Sequence, residues 1–141
     1  MTIQQGLTTS FKIDMLEGTQ DIVSDALYMA LYTAFADINH NTTAYTTANE
    51  VTGGGYIAGG QAISNVTINS TSDGTVYVSF DNVVWNSVQL ITRGALIYNV
   101  TKSNASVAVL DFGSDKTQTS SNTFTVVLPA DTPSSALIQI N

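Results

Sequence analysis

The sequence has no cysteine and only one histidine among its 141 residues. Without cysteine, disulfide frameworks, thiolate zinc sites and cysteine nucleophiles are excluded. No second histidine is present that could form a site together with His40. The polar neighbours of His40 predict a solvated loop side chain rather than a general base or a metal ligand. We therefore expect a protein that is not an enzyme and that holds no metal and no cofactor.

Basic charge is also scarce, because four Lys and Arg residues stand against eleven Asp and Glu residues, which gives a net charge of −7. Charged residues make up 11% of the chain, compared with about 25% in a typical globular protein. Four scattered cations cannot form the basic stripe that neutralises phosphates. Nucleic acid and anionic membrane surfaces are therefore not expected as partners.

Long apolar runs are missing as well. The longest one lies between Asp25 and Asp37, which is much shorter than the roughly 20 residues of a membrane-spanning helix. The first six residues have neither the basic start nor the apolar stretch of a secretory signal, so we expect synthesis in the cytoplasm without processing.

Short β-branched or aromatic runs separated by small polar connections make up most of the sequence, and this rhythm is typical of all-β domains. Apolar and polar residues alternate in several runs; Val76, Val78 and Phe80, for example, fall on one strand face. The sequence predicts a single-domain antiparallel β-sandwich, jelly-roll-like, over residues 10–141, with about eight or nine strands. Residues 1–9 are predicted to form an N-terminal arm that becomes ordered on assembly. The predicted strands cover residues 9–15, 61–70, 75–81, 83–91, 94–100, 106–112, 122–128 and 136–141.

Residues 21–36 fit two periodicities. Leu27, Leu31 and Phe35 lie four residues apart, as on one face of a helix. Leu27, Met29 and Leu31 also alternate with Tyr28, Ala30 and Tyr32, as in a strand. Because no other segment indicates a long helix, we favour a buried strand over residues 26–34, preceded by a turn or a short helical piece.

Turn residues mark where strands are expected to reverse. Ser72-Asp73-Gly74 and Gly113-Ser114-Asp115 each follow a strand pattern and supply residues that tolerate positive φ. Both are predicted to be hairpin turns. Pro129 and Pro133 flank the connection into the last strand.

A glycine cluster, Gly53-Gly54-Gly55-Tyr56-Ile57-Ala58, formally matches the dinucleotide-binding pattern. That pattern requires a helix N-terminus aimed at the pyrophosphate, whereas a strand-like segment follows here. The cluster instead predicts a mobile loop that permits tight turns or close backbone approach, or that orders on contact with a neighbouring subunit.

Aromatic residues could form a sugar-stacking face, but Trp85 lies beside Val83 and Val84 in a predicted strand and is expected in the core. Tyrosines on the outward face suit a protein interface, because Tyr brings a large contact area at low entropic cost.

Several phrases together resemble a family of small virion structural proteins of tailed bacteriophages. The resemblance runs from about Phe11 to Ile140, and the stretch 40–43 departs most from the pattern. The phrases are Ala30-Leu31-Tyr32-Thr33, the run from Glu50 through the glycine cluster to Gly60, Trp85, Arg93-Gly94-Ala95-Leu96-Ile97-Tyr98-Asn99 and Val107-Ala108-Val109-Leu110-Asp111-Phe112-Gly113.

The resemblance implies a non-enzymatic decoration or cement protein on the capsid surface of a virion, made in the host cytoplasm. Its implied partners are the major capsid protein and further copies of itself, with a homotrimer favoured. A neck or tail component of the virion and a carbohydrate-binding adhesion module are the alternatives. The candidate interface residues are Tyr45, Gly53, Gly54, Gly55, Tyr56 and Arg93.

Overall fold

The computed structural model describes residues 2–129, 132 and 134–140. It has an all-β fold in which eight strands of the described residues form two antiparallel sheets. The elements are β1 (Gly6–Leu7), α1 (Thr9–Glu17), β2 (Leu27–Tyr32), β3 (Gln61–Ala62), β4 (Thr67–Ser70), β5 (Val76–Ser79), β6 (Val83–Asn99), β7 (Ala105–Val126) and β8 (Gln139–Ile140). The larger sheet has the order β1-β7-β6-β2-β3, and the smaller one has the order β4-β5-β8. The predicted all-β sandwich class is confirmed, whereas its jelly-roll character stays a prediction.

A single long hairpin, formed by β6 and β7, runs through the larger sheet. It reverses at residues 100–104, where Ser103 and Asn104 both have positive φ. The sequence predicts two strands in place of β6 and two more in place of β7. This division is wrong, because β6 and β7 each continue as one strand across bulges. We call residues 94–99 with 105–111 the proximal half, and residues 83–92 with 116–126 the distal half.

The proximal half is buried on both of its faces. Ala95 and Ile97 point into one apolar cluster, while Leu96 and Tyr98 point into a second cluster on the opposite face. The neighbouring strand β2 behaves in the same way, which explains its unbroken apolar sequence. The predicted buried strand over residues 26–34 is thereby confirmed as β2.

The smaller sheet confirms one hairpin prediction. Ser72-Asp73-Gly74 joins β4 to β5, and Gly74 takes a φ of +92° that favours glycine. The predicted strand over residues 61–70 is divided between the two sheets as β3 and β4. The last predicted strand is present as β8, and Pro133 and Asn141 lie outside the described residues.

The predicted strand over residues 9–15 is wrong, because this segment is helix α1. The Thr8 hydroxyl accepts a hydrogen bond from the Phe11 amide and caps the N-terminus, and Gly18 ends the helix in the left-handed conformation. Period-two alternation of Phe11, Ile13 and Met15 was therefore outweighed by capping residues at both ends. No helix among the described residues is long and apolar enough to span a membrane.

The predicted turn at Gly113-Ser114-Asp115 is part of a large bulge inside β7 and not a hairpin reversal. Thr92 pairs with Lys116 and Gly94 pairs with Asp111, so residues 112–115 all lie opposite the single residue Arg93. Such bulges bend a strand and redirect its side chains. The positive φ of Gly113, +77°, fits this role.

The predicted N-terminal arm contacts the larger sheet in the single chain. β1 pairs with β7 through Gly6 and Val109, and the Gln4 amide donates to the Ile38 carbonyl at 3.0 Å. Whether assembly changes this segment stays a prediction.

Candidate interface surfaces

Glu50 is a buried carboxylate, with 4% of its surface exposed. Its oxygens accept three hydrogen bonds of 2.7 Å each, from the Tyr45 hydroxyl, the Tyr56 hydroxyl and the Gly59 amide. Among the described residues no cation pairs with it. Three short hydrogen bonds to charge are what makes such burial tolerable, so Glu50 fixes residues 45–59 as a unit.

Further tyrosines extend this network into the sheet. The Tyr98 hydroxyl donates to the Gly59 carbonyl at 2.7 Å, and the Tyr98 ring stacks on Tyr45 with centroids 4.6 Å apart. The Tyr56 hydroxyl also accepts from the Leu31 amide of β2 at 2.9 Å. These contacts join the loop to the proximal half and to β2.

The tyrosines of this network are held neutral. Burial, with a contribution from the Glu50 charge, raises the pKa of Tyr98 to about 12. Burial and the contact with Glu50 likewise raise the pKa of Tyr45 and of Tyr56 above the ordinary value. Each hydroxyl therefore remains a hydrogen-bond donor at neutral pH, and the network holds the loop in place.

The glycine cluster lies against the distal half of the hairpin. The Gln89 amide donates to the Gly54 carbonyl at 2.7 Å, and a Cβ on Gly54 would lie only 1.7 Å from the Gln89 carbonyl oxygen. Gly55 approaches the Ser87 carbonyl in the same way, and both glycines have positive φ. Close backbone approach is thus confirmed for this loop, whereas its role as an interface stays a prediction.

Arg93 is the candidate whose charged side chain reaches the surface. Its guanidinium lies 3.7 Å from Asp111 and 3.9 Å from Asp115, at the bulge in β7. These distances are too long for hydrogen bonds, and Nε has no hydrogen-bond partner among the described residues. Arg93, Asp111, Thr2, Ile3 and Ala34 line a cavity of about 260 Å³. The structure joins Tyr45 and Tyr56 through Glu50, but it shows no contact between them and Arg93.

Sequence reasoning missed Glu50 as the centre of the network. One signal was available, because Glu50 is the sole Asp, Glu, Lys or Arg between Asp37 and Asp73, and Tyr45 and Tyr56 stand close to it. An isolated acid in a long uncharged segment is a candidate for a buried, hydrogen-bonded carboxylate.

The outer edge of β7 was also missed. β1 pairs with it only at Ala108 and Val109, so no strand of the described residues covers the edge over residues 113–126. Residues 117–128 carry no charge. Beside this edge, Phe112, Phe124 and Val127 contribute to a cavity of about 270 Å³, with Lys116 at its lining.

Two predictions about single residues are confirmed. Trp85 is 1% exposed and lies between the rings of Tyr56 and Phe124, at centroid distances of 6.5 and 6.1 Å. His40 is exposed in a loop. The Trp85 ring is therefore part of the core, where a sugar could not stack on it.

The chain matches no known protein-family model, no curated protein and no solved structure. The function proposed for this chain therefore rests on its fold, on its uncovered surfaces and on the resemblance of its sequence.

Proposed function

We propose that this chain is a structural protein of a tailed bacteriophage particle, and that it decorates the capsid surface by binding the major capsid protein. Support comes first from the two most specific phrases of the resemblance. Arg93-Gly94-Ala95-Leu96-Ile97-Tyr98-Asn99 and Val107-Ala108-Val109-Leu110-Asp111-Phe112-Gly113 lie largely on paired strands, in the proximal half of the hairpin. The phrases thus describe one physical unit, the buried centre of the larger sheet.

The observation that carries the proposal is the uncovered edge of β7. A free strand edge presents a row of unpaired N–H and C=O groups, and folded proteins normally shorten, charge or cover such edges. Here the edge extends over residues 113–126, and its uncharged part begins at Thr117. A neighbouring shell subunit that adds an extended segment would cover it, with the cavity at Phe112 and Phe124 receiving a side chain.

Repeated attachment explains how such a contact strengthens a shell. A capsid surface offers the same site many times, so modest binding at each copy adds up over the lattice. The proposed mechanism is therefore adhesive: the chain bridges neighbouring capsid subunits and performs no chemical step.

The first test is the copy number of this chain in purified particles, measured by quantitative mass spectrometry with heads and tails separated. We expect about one copy per major capsid protein in the head fraction, as a quasi-symmetric lattice requires. A few copies in the neck or tail fraction would instead assign the chain to a ring or fibre, and absence from the particle would overturn the proposal.

The second test addresses the β7 edge itself. Thr125→Lys places a charge on the exposed edge strand, whereas Ser70→Lys places the same charge on an exposed position of β4, in the smaller sheet and away from this edge. We expect Thr125→Lys to weaken binding to shells that lack this chain by about tenfold or more, and Ser70→Lys to bind normally. Equal binding by both variants would exclude the edge as the contact.

A further inference from the structure

The cavity beside the distal half of β7 combines apolar walls with a single type of charge. Its volume is about 270 Å³. Its lining consists of the apolar residues Phe112, Phe124, Val126 and Val127 and the polar residues Lys116 and Thr125. Val127 is 73% exposed, so a side chain from another molecule can reach this wall from outside.

The path of β7 creates the cavity. Phe112 and Phe124 line the same space although they are twelve residues apart in the sequence, and a straight strand would separate them by about 40 Å. Bulges bend a strand, and β7 has one opposite Arg93 and a second irregularity between its pairs with Val88 and Leu90. The cavity is therefore fixed by the pairing of β7 with β6.

Lys116 brings a positive charge to this lining, and no carboxylate of the described residues forms an ion pair with it. Its ammonium group donates a hydrogen bond to the Ser114 hydroxyl at 3.1 Å. The neighbouring carboxylate, Asp115, lies 3.9 Å from the Arg93 guanidinium instead. Residues 117–128 carry no charge at all. Lys116 is thus a cation beside an apolar cavity, in a chain whose net charge is −7.

We propose that the segment of the major capsid protein that adds to the β7 edge carries a large apolar side chain for this cavity and a carboxylate for Lys116. The inference rests on the proposed function and specifies the chemistry of the partner at the same edge. Successive side chains of an extended segment point to opposite faces, so the two groups are separated by an even number of positions. The apolar side chain supplies binding, and the ion pair selects the register.

Reversal of the charge is the first test, with purified shells that lack this chain as the probe. Lys116→Glu removes only the contact with Ser114, at an exposed position, so the fold should be unchanged. We expect it to weaken binding by about tenfold or more. Lys102→Glu makes the same change in net charge at the exposed hairpin reversal, away from the cavity, and should bind normally.

Cross-linking identifies the partner group directly. A water-soluble carbodiimide joins an amine to a carboxylate only when the two are in contact. We expect a cross-link between Lys116 and an Asp or Glu of the major capsid protein, two or four positions from a large apolar residue. Lys116→Arg keeps the positive charge but has no amine, so it should bind normally and lose this cross-link.

The apolar wall is tested by Val127→Ser, which makes an exposed part of the cavity polar. We expect weaker binding to the same shells, because less apolar surface is buried. Val23→Ser, at a residue that is 50% exposed outside the cavity, removes the same groups and should leave binding unchanged.

The outcomes distinguish this inference from the proposed function. A parent chain that does not bind the shells overturns both. If the parent chain binds, equal binding by Lys116→Glu and Lys102→Glu, or by Val127→Ser and Val23→Ser, overturns the partner chemistry alone. A Lys116 cross-link to a second copy of this chain, or none, does the same. Circular dichroism of each variant confirms that the fold is retained.

Discussion

The two halves of the β6–β7 hairpin are made from the same two strands but have opposite surroundings. In the proximal half, β2 and β1 pair on either side and apolar clusters cover both faces. In the distal half, β7 has a free outer edge, and most of its residues from 116 to 125 are exposed. The comparison indicates that the proximal half is enclosed on both faces, whereas the distal half adds Trp85 and its buried neighbours to the core on one face and leaves the β7 edge accessible to a partner.

Truncation in the proximal half should have the largest effect. Leu96→Ala removes a side chain with no exposed surface and leaves a cavity, so we expect a loss of about 3 to 5 kcal/mol in the free energy of unfolding. Ile91→Ala, on the distal half of the same strand at 55% exposure, should cost less than about 1 kcal/mol. Chemical denaturation of both variants provides the measurement, and equal losses would remove the distinction between the halves.

Removal of the buried carboxylate should come next. Glu50→Ala leaves the Tyr45 and Tyr56 hydroxyls and the Gly59 amide without their acceptor, and we expect a cost of about 2 to 3 kcal/mol. Glu17→Ala deletes an exposed carboxylate and should change stability by less than about 0.5 kcal/mol. Equal denaturation midpoints for the two variants would show that Glu50 does not hold the loop.

Substitution in the glycine cluster should have a smaller effect that depends on position. Gly53→Ala meets no neighbouring atom and carries only the strain of a positive φ, about 1 kcal/mol, whereas Gly54→Ala also meets the Gln89 carbonyl. We expect Gly54→Ala to cost about 1 to 2 kcal/mol more than Gly53→Ala in thermal unfolding. The reverse order would mean that the loop does not lie against β6.

Alkaline pH should have the smallest effect, a loss of the stability that neutral Tyr98 contributes to the proximal half. The pKa of Tyr98 is raised in the folded state, so the folded chain binds more protons than the unfolded chain above pH 10. The stability contributed by neutral Tyr98 is fully present below pH 10 and is lost as the pH rises through about 12. The difference in tyrosine absorbance between the parent chain and Tyr98→Phe should appear only together with unfolding, and a difference that appears near pH 10 in the folded chain would contradict the account.

The buried half was the easier one to predict from sequence. β2 and the proximal strands carry apolar runs, and the expected buried strand at β2 is present although its sequence also fitted a helix. The junction between the halves was misread, because Gly113-Ser114-Asp115 has the composition of a turn but serves as a bulge opposite Arg93. Composition cannot distinguish the two, since both need positive φ and polar residues.

The candidate interface was only partly accessible to sequence reasoning. Tyr45, Tyr56 and the glycine cluster were singled out together, and the structure does bring them together, but around Glu50 and β6 within the chain. The β7 edge and the cavity beside it were not found. Both depend on which strands pair and on how β7 bends, and these are properties of the tertiary structure.

Amide hydrogen exchange of the free chain, compared with the chain bound to capsid shells, tests the division of the hairpin most directly. We expect the amides of residues 94–99 and 105–110 to exchange only through global unfolding in both states. Outward amides of residues 113–126 should exchange rapidly in the free chain and slowly on the shell. Strong protection of that edge in the free chain, or an edge that the shell leaves unprotected, would contradict the account.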